Sequence, residues 1–166
     1  MTKNNILVTG GCGFVGSSIA IAFRKKYPLA KITCLDNLKR KGSESNILKL
    51  KEKNIEFIHG DIRNNEDLNS IRGIDIIIEC SAEPSILAGY NYVPQYLINT
   101  NLVGTINCLD LALANNAKLI FLSTSRVYPY KTINSLSYTE NSSRFELVKN
   151  QTAHGVSGKG INEHFP

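Results

Sequence analysis

No stretch of the chain approaches the run of about 20 apolar residues that a bilayer-spanning helix requires, so no membrane partner is expected. No basic and apolar leader precedes the first apolar segment, which opens at Ile6. A secretory signal is therefore not expected, and the expected location is cytoplasmic. The four cysteines, Cys12, Cys34, Cys80 and Cys108, show no paired spacing. That pattern fits neither a disulfide framework nor a metal site, and reduced, buried thiols are expected. The basic clusters Lys39-Arg40-Lys41 and Lys49, Lys51, Lys53 have no aromatic residues between them. Without stacking platforms they do not read as a nucleic-acid surface. There is no short-period repeat and no low-complexity segment.

What is present is an ordinary globular composition. The 166 residues are 42% apolar and 20% charged, with a net charge of +5. That length suffices for one domain with a core. A dispersed positive balance suits an anionic cofactor or nucleotide ligand.

The apolar run Ile6-Leu7-Val8 leads into Thr9-Gly10-Gly11-Cys12-Gly13-Phe14-Val15-Gly16, and an amphipathic stretch follows to Lys26. Strand, glycine turn and helix in that order are the setting of a nucleotide-phosphate loop. Gly10 permits the tight turn, Gly13 clears space for a pyrophosphate, and Gly16 allows close helix packing. The bound anion then meets the free N–H groups of the first helical turn, which includes Phe14 and Val15.

A second strand, Lys31 to Asp36, ends in an acid at the place where a dinucleotide fold receives the adenosine ribose hydroxyls. A 2′-phosphate there sets like charges ~4 Å apart, at a cost of up to ~4 kcal/mol at an effective dielectric near 20. NAD is therefore expected over NADP, although Lys39-Arg40-Lys41 argues for a phosphate. Ser43 to Lys53 reads as a helix capped by Ser43. Ile55 to His59 is a third strand. Asp61 follows it, either accepting from an adenine amino group or capping the turn into Asn65–Ile71. Ile74 to Cys80 is a fourth strand, and the small residues Ser81 and Ala82 then let a pyrophosphate and ribose pass close to backbone. Glu83 is expected to face away from phosphate, toward substrate or a helix N-terminus. Pro94 to Asn116 is a long helix, and Lys118 to Leu122 a fifth strand.

Five alternating strand–helix units imply an α/β fold, an open parallel sheet of order 3-2-1-4-5 with helices on both faces. Residues 1–131 form the expected dinucleotide-binding domain. From 132 to 166 the periodicity dissolves, and an irregular active-site loop without strands is expected.

The glycine loop, Leu35-Asp36-Asn37-Leu38, Gly60-Asp61-Ile62-Arg63, Asn101-Leu102-Val103-Gly104-Thr105 and Ser123-Thr124-Ser125-Arg126-Val127-Tyr128 occur in one order. Together they resemble the extended short-chain dehydrogenase/reductases, specifically the NAD-dependent nucleotide-sugar epimerases and dehydratases, and most closely epimerases acting at C2 of a CDP-sugar. The resemblance implies a Rossmann-type doubly wound sheet. It implies NAD as cofactor, with Gly10, Gly13 and Gly16 at its phosphates, Asp36 at the adenosine ribose, Asp61 and Ile62 at the adenine, Asn37 among the cofactor-binding residues, and Asn101 nearby. It makes Thr124 the catalytic Ser/Thr and a nucleotide sugar the substrate, epimerised by transient oxidation. Ser125 and Arg126 stand where the dehydratases carry an acidic pair, which favours epimerisation.

One element of the family pattern is lacking. No Tyr-x-x-x-Lys follows Thr124: Tyr128, Tyr130 and Tyr138 have Thr132, Asn134 and Ser142 four residues on. The Tyr27–Lys31 match precedes the second strand and contains Pro28. The expectation is an N-terminal portion of an epimerase, with the C-terminal part of the fold missing. It would be inactive alone, and either a homo-oligomer or complemented by a C-terminal segment. A non-catalytic NAD-binding or interaction module and a non-functional remnant are the alternatives.

Overall fold

The unalternated apolar run at Ile6-Leu7-Val8 predicts a strand covered on both faces, and the computed structural model buries all three residues. It describes residues 4–85, 87–90, 93–124 and 127–165. The chain divides into two compact units, Met1–Leu122 and Ser123–Pro166. This division falls earlier than the boundary after 131 read from composition.

In the first unit, β1 (Asn5–Thr9), α1 (Phe14–Lys26), β2 (Lys31–Asp36), α2 (Ser45–Glu52), β3 (Glu56–His59), α3 (Asn65–Asn69) and β4 (Ile76–Glu79) follow in turn. A helical run then leads to β5 (Lys118–Phe121). The five strands lie in the order β3-β2-β1-β4-β5, all parallel, as expected. Val8 stands opposite Cys34 on one side and Ile78 on the other. On one face Ile6, Val8, Ile32, Cys34 and Ile78 pack with Ala20 of α1 and Leu50 of α2. On the other, Leu7, Leu35 and Ile77 pack with Leu68 of α3 and with Cys108, Leu111 and Ala112. Helices therefore cover both faces, and the carboxyl ends of the strands open onto one edge of the sheet.

Three local expectations change. The helix read from Ser43 begins at Ser45, with Glu44 as its N-terminal flank and no side-chain cap. Ser43 instead turns its hydroxyl back to the Arg40 carbonyl at 2.7 Å, closing the preceding turn. The long helix comprises α4 (Gln95–Ile98), a π-helical stretch over Asn99–Val103, and α5 (Gly104–Asn115). Gly104 sits against the Ile62 side chain, with no room for a Cβ. The whole run, Gln95–Asn115, is 21 residues long and apolar enough to cross a bilayer by length and composition, contrary to the reading that no such run exists. In the fold its Cys108, Leu111 and Ala112 are buried as the crossover between β4 and β5.

The second unit is not strandless. It holds α6 (Tyr130–Asn134), a hairpin of β6 (Tyr138–Glu140) with β7 (Phe145–Leu147), and a smaller one of β8 (Val156–Ser157) with β9 (Gly160–Ile161). Strands of two or three residues are too short to show a period of two. What holds them is local: the Tyr138 and Phe145 rings meet edge-on at 5.2 Å, and Tyr128 meets Phe165 at 5.3 Å.

The core makes a direct prediction. Ile77 is fully buried, between Leu7 and Leu119 in the sheet register. Ile77→Ala is expected to cost about 2–5 kcal/mol, read as a lower urea midpoint; an unchanged midpoint would contradict this packing.

Candidate cofactor site

β1 delivers the chain to Gly10 at the carboxyl edge of the sheet. Gly10 has φ +61°, and a Cβ there would stand 2.8 Å from the Cys80 carbonyl oxygen and 2.9 Å from the Ser81 nitrogen. Only glycine lets the turn after β1 touch the loop after β4. A Cβ on Gly16 would run into the Gly10 carbonyl, so Gly16 seats α1 on the turn itself. Gly13 donates its N–H to Gly10 at 3.0 Å and flanks α1 with no side-chain cap. The first-turn residues Phe14 and Val15 are exposed. Backbone N–H groups at a helix N-terminus without side-chain caps form a natural anion site.

Asp36 closes this cradle. Its Oδ2 accepts from Cys12 N–H at 2.9 Å and its Oδ1 from Leu38 N–H at 2.8 Å. A carboxylate has about four acceptor sites, so ribose hydroxyls can still bind. Asn37 donates to Asp61 at 2.9 Å, and Arg63 grips the same carboxylate from its side chain and backbone. These donors, Arg63 first, hold the Asp61 carboxyl well below the usual range. Asp61 closes the turn ahead of α3, its Oδ1 accepting Arg63 N–H at 2.9 Å, while Asn64 is the helix N-cap, accepting from Glu66 N–H at 3.2 Å. The Ile62 side chain is core, and its carbonyl accepts from Asn107 at 2.8 Å.

On the β4 side, Ser81 N–H donates to Glu79 at 3.1 Å. Asn101 grips Glu83, accepting its N–H at 2.8 Å and donating to its carbonyl at 3.3 Å, so Asn101 shapes the loop holding Ser81 and Ala82. The Glu83 carboxylate accepts the Ser85 N–H at 3.1 Å, closing a local turn. Cys12, Cys34 and Cys108 are buried free thiols, each pushed up to about 12 chiefly by burial. Among the described residues no cluster of His, Cys, Asp and Glu suits a metal ion.

This geometry, a cleared glycine turn, uncapped helical N–H groups and an acid at the tip of β2, fits a dinucleotide. The family model described as "NAD dependent epimerase/dehydratase family" matches residues 6–157. The chain belongs to that family. The CDP-paratose 2-epimerase of Salmonella typhi is 31% identical over 97% of this chain and 48% of its own length. The dTDP-D-glucose 4,6-dehydratase of Dictyostelium discoideum is 35% identical over 96% of this chain and 38% of its own. Among solved structures, a dTDP-glucose 4,6-dehydratase from Bacillus anthracis in complex with NAD aligns with a TM-score of 0.65 at 30% identity, covering 90% of this chain and 45% of that one. The chain thus spans less than half the length of these relatives.

Within the epimerase/dehydratase pattern, the first unit brings together Gly10, Gly13, Gly16, Asp36, Asn37, Asp61, Ser81 and Asn101 through the contacts above. Thr124 belongs to the second unit and is exposed. Ser125 and Arg126 lie outside the described residues. Lys31 opens β2, at the opposite end of that strand from Asp36, so Tyr27 and Lys31 are remote from the cradle. Sequence reasoning missed Gly11, whose Cβ would collide with Cys34, and Asn46, which donates to the Cys12 carbonyl at 2.9 Å. It also missed Glu79, signalled only by an acid ending the most apolar strand, and the Lys39 ammonium standing 3.1 Å above the Tyr96 ring.

The Asp61 cluster has a pH signature. Its folded pKa lies below the ordinary 3.8, so its stabilisation is present above about pH 4 and fades as pH falls further. Asp61→Asn is expected to be less stable than the parent at neutral pH, with the gap narrowing in acid; a gap independent of pH in denaturant titrations would refute the cluster.

Proposed function

We propose that these 166 residues are the NAD-binding portion of a nucleotide-sugar epimerase that acts at C2 of a CDP-sugar, and that alone they bind cofactor without turnover. A cytoplasmic location is part of this proposal. The observation that carries it is the Gly10–Gly16 cradle closed by Asp36. In the bound state NAD supplies a reversible hydride acceptor. The chain's own contribution is positional: α1 presents N–H groups to the pyrophosphate, Asp36 accepts from the ribose, and the Ser81–Ala82 backbone borders the nicotinamide side. Thr124 would hydrogen-bond the sugar hydroxyl or carbonyl.

Support for epimerisation over dehydration is the pair Ser125 and Arg126, which cannot act as the acid and base of an elimination. Support for CDP is the similarity to the Salmonella enzyme. Support for a missing catalytic contribution is the lack of a Tyr-x-x-x-Lys after Thr124. Among the described residues β5 is an edge strand whose Ile120 and Phe121 are about half exposed, which supports pairing with a complementing C-terminal segment or with a second copy.

Calorimetric titration of the purified chain tests the reading. NAD is expected to bind, NADP at least about tenfold more weakly, and Asp36→Ala to lose most of the NAD affinity. CDP-, UDP- and dTDP-sugars should show no conversion. Measurable epimerisation would refute the inactive-portion reading; tight NAD binding by a stable monomer that no downstream segment complements would favour a binding module; no NAD binding would refute the site.

A further inference from the structure

Glu79 ends β4 in register with Thr9 of β1, and its side chain is 1% exposed. A buried carboxylate is normally paired with a cation or saturated with donors. Here neither holds. The groups acting on it are the Ser81 N–H at 3.1 Å, the Thr105 hydroxyl from α5, and the thiols of Cys80 and Cys108. Thr9 is its buried neighbour across the register. Both thiols are pushed up, to about 11 and about 12, and stay neutral, so none of these groups brings a positive charge. Burial accordingly raises the Glu79 carboxyl to about 7.

The bonds around it lead to the cofactor side of the sheet. The one Thr105 hydroxyl proton is shared between Glu79 and the Asn101 carbonyl, 3.1 Å away, and Asn101 grips Glu83. Glu79 thus holds one end of the Ser81–Glu83 segment and Asn101 the other. Ser81 is the residue whose nitrogen crowds the missing Cβ of Gly10.

We propose that Glu79 is a positioning residue for the cofactor: by accepting the Ser81 N–H it fixes the Ser81–Ala82 backbone against the glycine turn, and loss of its charge loosens the NAD site. This rests on the NAD-binding reading above. An ionised carboxylate is the stronger acceptor, so the charged form orders the segment and binds NAD better. Affinity then rises as pH rises through about 7. Stability runs the other way. The folded pKa lies above the ordinary 4.5, so the folded chain holds the proton longer than the unfolded one, and stability falls as pH climbs from about 4.5 to about 7.

The test measures NAD affinity of the full chain by calorimetry at about pH 6 and about pH 8, and follows the Ser81 amide by NMR across the same range. In the parent, NAD is expected to bind roughly threefold to tenfold more weakly at the lower pH, with the Ser81 resonance titrating alongside. Glu79→Gln should bind at the weaker level at both pH values, with a static Ser81 resonance. Thr105→Val keeps the carboxyl but removes a donor, so its affinity profile should move to higher pH; it serves where the glutamine variant fails to fold. NAD binding whose pH profile is unchanged in Glu79→Gln, or in Thr105→Val, overturns the inference while leaving the NAD site intact. Failure to bind NAD at any pH overturns the underlying site.

Discussion

The close approach between Gly10 and the loop after β4 is the constraint on which the candidate site depends. In a doubly wound sheet the turns after β1 and β4 flank the crevice where strand order reverses, and ligands bind there. In this chain the two turns touch: the Cys80 carbonyl and Ser81 nitrogen fill the volume that any side chain on Gly10 would need. That contact links the phosphate cradle to the nicotinamide side of the proposed site. Gly16 and Gly13 pack against the Gly10 carbonyl from the helix side, so the same peptide unit also seats α1. Asp36 then ties the turn to β2 through Cys12. Three strands meet around one backbone corner, and each needs a residue without bulk or with two acceptors.

The parts legible in the sequence are those where one residue type satisfies one local rule. Short apolar segments mark all five parallel strands, and their order follows from right-handed crossovers together with the glycine fingerprint. Gly10, Gly13 and Gly16 follow from backbone geometry, and Asp36 from its place at a strand tip. Less legible were residues whose role is set by a partner distant in sequence. Gly11 looks like a spare glycine until β2 brings Cys34 against it. Asn101, on a helix, becomes a clamp only because Glu83 lies beside it in space, 18 residues away in sequence. The hairpins of the second unit were invisible because strands of two or three residues rest on turn closure and single ring contacts rather than on a buried face.

Charge shows the same dependence on tertiary context. A cluster such as Lys39-Arg40-Lys41 beside an acidic strand tip is ambiguous, since a lysine can meet a 2′-phosphate as readily as solvent. The fold commits Lys39 elsewhere, above the Tyr96 ring, with Arg63 5.3 Å from the same ring and paired to Asp61. Recruiting Lys39 to a phosphate would first forfeit a cation–π contact of about 0.5–2 kcal/mol. The phosphate would still face Asp36 at a cost of up to ~4 kcal/mol. One recruited surface lysine returns only ~0–1 kcal/mol at an exposed site. The balance at the proposed adenosine end therefore runs against NADP even though the chain carries a net charge of +5, because Lys39 and Arg63 are already engaged and the acid is fixed in place by two backbone donors.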